Sequence, residues 1–256
     1  MTEFALPLLF ATVLWFVATG FVLWLDKLPS HTWPVSITLA SVASGFAMGG
    51  MMVPAMAWLI EHWGWRNTAL LSGVLALVLG LPLARVIRRR PEDHGEHIDG
   101  LDPALNTAAT GPGSAQPLVQ VQFTVRQALR TRTFWLLATG HGLALLVVTA
   151  VSVHAITHMK EGLGYSFAAA SFVIMLMNFG QFLGVLLGAA IGNKFEMRKV
   201  TALCMLSHAL GLLALTYATD MAGLIAFAAL HGLGWGLRGP FMSAIRADYF
   251  GRHAIG

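Results

Sequence analysis

Thr68-Ala69-Leu70-Leu71-Ser72-Gly73-Val74-Leu75-Ala76-Leu77-Val78-Leu79-Gly80-Leu81-Pro82-Leu83-Ala84-Arg85-Val86 is a continuous apolar run whose only charged side chain is the arginine next to its end. A bilayer's hydrocarbon layer needs about 20 such residues in helical form. A membrane β-barrel would show short alternating segments instead of a continuous block. The run therefore predicts a helix that satisfies its own backbone hydrogen bonds where water is absent.

The same reading extends outward from this run. Membrane helices are predicted over about 5–25, 34–60, 68–87, 133–157, 167–192, 200–217 and 222–245. Composition agrees, with 56% hydrophobic and 11% charged residues, against roughly 45–50% and about 25% in soluble domains. Glu3 stands where a signal peptide would carry basic residues, so 5–25 reads as a retained span. The expected fold class is an all-α membrane protein, a multi-pass helical bundle with about seven transmembrane helices.

Basic residues orient these helices. Lys27, the seven arginines from Arg85 to Arg132, Lys194, Arg198, Lys199, Arg246 and Arg252 fall in segments that alternate with the spans on one side. They make up 13 of the 16 Lys and Arg residues, and only Arg66 and Lys160 fall on the other side. This asymmetry marks the cytoplasmic face of a cell-membrane protein. No aromatic-interleaved basic patch accompanies the charge, so a nucleic-acid partner is not expected. Cys204 stands alone, which excludes a disulfide framework and a cysteine-based metal site.

Pro91 to Gln122 breaks the pattern. It is polar, holds Glu92, Asp93, Glu96, Asp99 and Asp102, and has no apolar period, so it reads as a linker. Phe123 to Thr133 follows as a short amphipathic helix with Thr124 as N-cap. The expected organisation is 1–90 as part of an N-terminal membrane half (three helices), 91–132 as cytoplasmic linker and amphipathic helix, and 133–256 as part of a C-terminal half (four helices). Within the spans Gly180, Gly184, Gly188 and Gly192 recur every four residues, with shorter pairs at Gly45/Gly49 and Gly232/Gly236. Such a stripe lets a neighbouring backbone approach, either for static packing or for sliding.

Several motifs together resemble the major facilitator superfamily of transporters, within it the monocarboxylate and oxalate/formate antiporter-like branch. They are Ser44-Gly45-Phe46-Ala47-Met48-Gly49-Gly50 with Pro54 and Trp58, then Gly64-Trp65-Arg66, then Arg88-Arg89-Arg90-Pro91-Glu92-Asp93. In the second half Gly192-Asn193-Lys194-Phe195-Glu196-Met197-Arg198-Lys199 is similar to the family's cytoplasmic loop motif, of which Gly192, Asn193, Lys194, Arg198 and Lys199 are the matching positions. Gly236-Leu237-Arg238-Gly239-Pro240 resembles the end of the family's tenth helix. The resemblance implies that the chain covers helices four to ten of a twelve-helix fold, as a fragment of a longer frame. Asn193 stands where the family customarily has an acid, which weakens the charge pairing of that loop.

A central membrane arginine costs roughly 2.5–3.5 kcal/mol to insert, so each one asks for a reason. Arg238 is the basic residue placed within a span. Its guanidinium suits a substrate carboxylate, because it binds bidentately and stays charged; the alternative is snorkelling to headgroups or pairing with Asp248. His141, His154, His158, His208 and His231 fall in or near spans, and His231 lies two turns from Arg238. Asn178 and Gln181 would line a polar path or tie helices together. The candidate substrate-binding residues are therefore Arg238, His231, Asn178 and Gln181.

The chain has no zinc-hydrolase, nucleophile-elbow or phosphate-loop motif and no paired intramembrane carboxylates. An enzyme, a cofactor and a metal are not expected. The expected function is secondary active transport of a small organic anion by alternating access, as antiporter or symporter, with a proton or counter-anion as coupling species and the lipid bilayer as surroundings. The alternative is a transport-inactive membrane fragment or interaction module.

Overall fold

In a computed structural model of the protein the described residues are 45, 49–86, 123–191 and 194–250. The predicted span 5–25, most of 34–60, the linker to residue 122, and Gly192 with Asn193 lie outside them.

The described residues are helical, in keeping with the expected all-α class. Helix α1, Val53–Val86, is interrupted at Gly64, whose φ of 77° and ψ of 156° are not helical. Only glycine adopts that backbone region readily. The break falls inside the gap between the predicted spans ending near 60 and starting near 68. Arg66 lies over the Trp65 ring at 4.8 Å beside the break, a pairing typical of a membrane interface.

Helix α2 is the single turn Val125–Ala128, fixed by a reciprocal cap. The Gln127 amide donates to Thr124 Oγ1 at 3.3 Å, and the Thr124 amide donates to Gln127 Oε1 at 2.9 Å. The amphipathic helix expected to reach Thr133 is cut short because Thr131 starts a new helix. Its hydroxyl accepts from the Phe134 amide at 3.2 Å, making it the N-cap of α3, Arg132–Thr157, which continues into a π turn at His158–Gly162.

Helices α4 (Phe167–Ile191), α5 (Met197–Thr216) and α6 (Met221–Phe250) complete the bundle. Val53–Pro82, Arg132–Gly162, Phe167–Ile191 and Met197–Thr216 are long and apolar enough to cross a membrane. α6 is 30 residues long and carries His231 in its first half and Arg238 and Pro240 in its second.

The glycines explain why α4 and α6 form the centre. Contacts step forward together along both helices: Gly180 lies against Ala228 and Gly232, Gly184 against Leu233 and Gly236, and Gly188 against Leu237 and Phe241. α4 and α6 are therefore parallel. α5 runs antiparallel to α6, with Gly211 beside His231 and Gly234 beside Cys204 and Ser207. The Ser207 hydroxyl donates across this interface to the Leu230 carbonyl at 2.7 Å. α3 also runs antiparallel to α6, since His141 meets Arg238 and Phe134 meets Phe250. Val151, Met159, Val173, Met177, Leu224 and Phe227 fill the space at the far end of the bundle. α1 packs Ala57 with Ala168 of α4, and Gly50, just before α1, sits against the Asn178 side chain.

Candidate functional site

Arg238 lies twelve residues before the end of α6, about 18 Å along the axis at 1.5 Å per residue. It is 2% exposed. The side chain turns into the bundle toward α3, and Asp248 forms no ion pair with it. Its Nη1 lies 2.8 Å from His141 Nδ1 on α3. An arginine only donates, so His141 Nδ1 accepts and the imidazole is neutral with its proton on Nε2. Arg238 Nε has no partner. Among the described residues the ion pairs are those of Glu196 with Arg198 and Lys199, so no acid neutralises Arg238.

A second buried polar pair stands one helix away. His208 on α5 and His231 on α6 approach Nδ1 to Nδ1 at 3.2 Å, with ring centroids 4.5 Å apart. One nitrogen must donate and the other accept, so the rings are opposite tautomers. Both Nε2 atoms are buried without a partner. Among the sequence-predicted residues, His231 thus faces His208 and not Arg238. Asn178 is buried, with its Nδ2 donating to the Ile174 carbonyl at 2.8 Å. Gln181 is buried where α4 crosses α6, its backbone against Gly232 and Gly236. The four candidates are not gathered into one cluster.

A cavity of about 420 Å³ opens instead between α2, the first half of α3 and the end of α6. Phe134, Leu137, Met242 and Phe250 give it apolar walls, and His141 and Arg246 supply its polar groups. His141 thus belongs both to the Arg238 bond and to the cavity lining. Nothing in the spacing along the chain links residue 141 to residue 238. The sequence presents Arg246 only as a loop cation, and the signal for its place is that it lies two turns after Arg238 on one helix.

In the loop between α4 and α5, Lys194, Arg198 and Lys199 are exposed. Glu196 closes the loop on itself, with Lys199 Nζ at 3.1 Å and Arg198 Nη2 at 2.5 Å. Hydrogen bonds from Lys199 and then Arg198 hold the Glu196 carboxyl below the usual carboxylate range.

Comparison with known proteins supplies the context. The profile of the Major Facilitator Superfamily matches residues 53–256. The chain is 28% identical to the "Membrane sensor protein UhpC" of Escherichia coli (strain K12) over 142 residues, which is 54% of this chain and 32% of that protein. It is 25% identical to the "MFS-type transporter pynF" of Aspergillus niger over 198 residues, 77% of this chain and 41% of that one. It is 23% identical to the "Benzoate transport protein" of Acinetobacter baylyi over 196 residues, 68% and 40%. The chain spans about a third to two fifths of the length of these relatives. No solved structure matches it.

Proposed function

The chain belongs to the Major Facilitator Superfamily, and from that premise we propose that it forms part of a secondary transporter for a small organic anion, with Arg238 as the anion anchor. One observation carries this reading. Arg238 is a cation buried at mid-helix, with a neutral histidine as its partner and a free Nε. A membrane interior tolerates such a charge where it serves an ion or substrate. A carboxylate would supply both the missing countercharge and two oxygens for the planar fork. The relative described as a benzoate transport protein is in keeping with a carboxylate, while the branch suggested by sequence motifs leaves the substrate's size open.

The test is uptake. The protein expressed from its complete gene, in proteoliposomes, is expected to accumulate small carboxylates saturably. Uptake of sugars or cationic drugs in place of carboxylates would overturn the substrate class.

Orientation belongs to the same proposal: α2 and the start of α3 lie on the cytoplasmic side. In a Cys204→Ser background, an impermeant thiol reagent should label Arg126→Cys in inverted vesicles and Glu161→Cys in intact cells. Both positions are exposed, Arg126 on α2 before α3 and Glu161 in the π turn after it. Labelling of Arg126→Cys from outside would reverse the orientation.

A second reading is favoured by one observation, the relative described as a membrane sensor protein. On it the bundle binds its anion without moving it across the membrane. Saturable binding with no uptake or exchange would select this reading.

A further inference from the structure

We propose that the cavity between α2, α3 and α6 receives a monocarboxylate with a bulky, aromatic body, an inference that rests on the organic-anion reading above and narrows it. The volume comes first. A space of about 420 Å³ falls within the range of small-molecule pockets, roughly 300–1,000 Å³. A formate-sized anion would leave most of it unfilled and its apolar walls uncovered.

The wall chemistry comes second. Phe134 and Phe250 stand edge to face with centroids 6.1 Å apart, and Leu137 and Met242 complete an apolar surface. A ring fits such walls because aromatic faces and edges pack against one another. Gly142 widens the space, since a Cβ added there would meet nothing within 4 Å.

The polar groups come third, and all favour an anion. Arg246 commits Nε to the Met242 carbonyl at 3.1 Å. Its terminal nitrogens have no acidic partner among the described residues. His141 accepts from Arg238, so its remaining ring N–H is a donor. Among the described residues no acidic side chain lines the cavity. An apolar body with one anionic head is the complement of this lining, and Arg238, which does not itself line the cavity, stands directly behind it on His141. An anionic lipid shares that description, but the proposal commits to a soluble carboxylate.

Radiolabelled benzoate is the probe, titrated into the purified complete protein in nanodiscs of phosphatidylcholine. Saturable binding is expected, with formate competing only at about tenfold higher concentration or more, because it lacks the apolar body. Arg246→Ala removes the cation, and Gly142→Leu fills the space from a position where the first added carbon meets nothing within 4 Å; each should weaken benzoate binding tenfold or more. Benzoate binding that survives both substitutions but is lost in Arg238→Ala overturns the cavity assignment and leaves the proposed function standing. Formate binding as tightly as benzoate likewise overturns the aromatic class alone. Displacement of benzoate by a few mole per cent of phosphatidylglycerol gives the cavity to lipid and overturns the proposal. If no carboxylate binds wild type, both readings fall.

Discussion

Gly236→Leu is expected to prevent α6 from seating against α4 and to leave little folded protein in the membrane. A Cβ at this position would overlap the Gln181 carbonyl oxygen and stand 2.9 Å from the Val185 amide nitrogen. Both obstacles are backbone of a helix, which cannot swing aside as a flexible side chain can. Overpacking commonly costs about 1–3 kcal/mol even where side chains yield, so a clash with fixed backbone exceeds that range. Gly184→Leu should behave similarly, since its Cβ would lie 2.5 Å from the Leu233 carbonyl oxygen and 2.8 Å from the Leu237 nitrogen. Gly188→Leu should be milder, because its nearest neighbour is Leu237 Cδ1 at 3.4 Å. Membrane yield and thermal unfolding of the three variants check this ranking. Wild-type yield and stability for Gly236→Leu would remove the packing argument.

Arg238→Met is expected to stabilise the folded protein while abolishing anion binding. The guanidinium is buried with a neutral partner and one unsatisfied nitrogen. A buried charge without a countercharge carries a desolvation cost that an apolar side chain of similar volume does not. His141 is only partly buried, so the nitrogen it would leave unpaired can turn to water. An upward shift of the unfolding midpoint, together with lost binding, would mark Arg238 as kept for function at the expense of stability. A strongly lowered midpoint would instead make Arg238 a structural tie between α3 and α6.

The helices were legible because bilayer crossing imposes a length and a composition that can be counted. Predicted spans at 133–157, 167–192 and 200–217 agree with α3, α4 and α5 to within a few residues, and α6 continues five residues past its predicted end. The break near Gly64 was visible as Gly64-Trp65-Arg66 between two apolar runs. The glycine spacing on α4 was equally plain, but its graded tightness was not. That grading depends on which backbone atom of α6 lies opposite each glycine.

The polar contacts were less legible for the same reason. His141 and Arg238 are 97 positions apart, and His208 and His231 are 23 apart, so no helical period connects them. Sequence spacing grouped His231 with Arg238 as neighbours on one helix; packing turned His231 toward α5 and Arg238 toward α3. Asn178 and Gln181 were grouped by a single helical turn, and burial at two different helix crossings separates them. The cavity is a property of three elements meeting, which one helix at a time does not reveal.

Equilibrium binding of radiolabelled benzoate to wild type, Arg238→Lys and Arg238→Ala, each verified as inserted and folded, tests the central claim most directly. Losing a charge-assisted hydrogen bond costs about 1.5–3 kcal/mol, equivalent to roughly a tenfold to hundredfold loss in affinity. Arg238→Ala should show at least that loss. Arg238→Lys should fall between it and wild type, because lysine keeps the charge without the planar fork. Benzoate affinity in Arg238→Ala equal to that of wild type would contradict the account and remove Arg238 as the anion anchor.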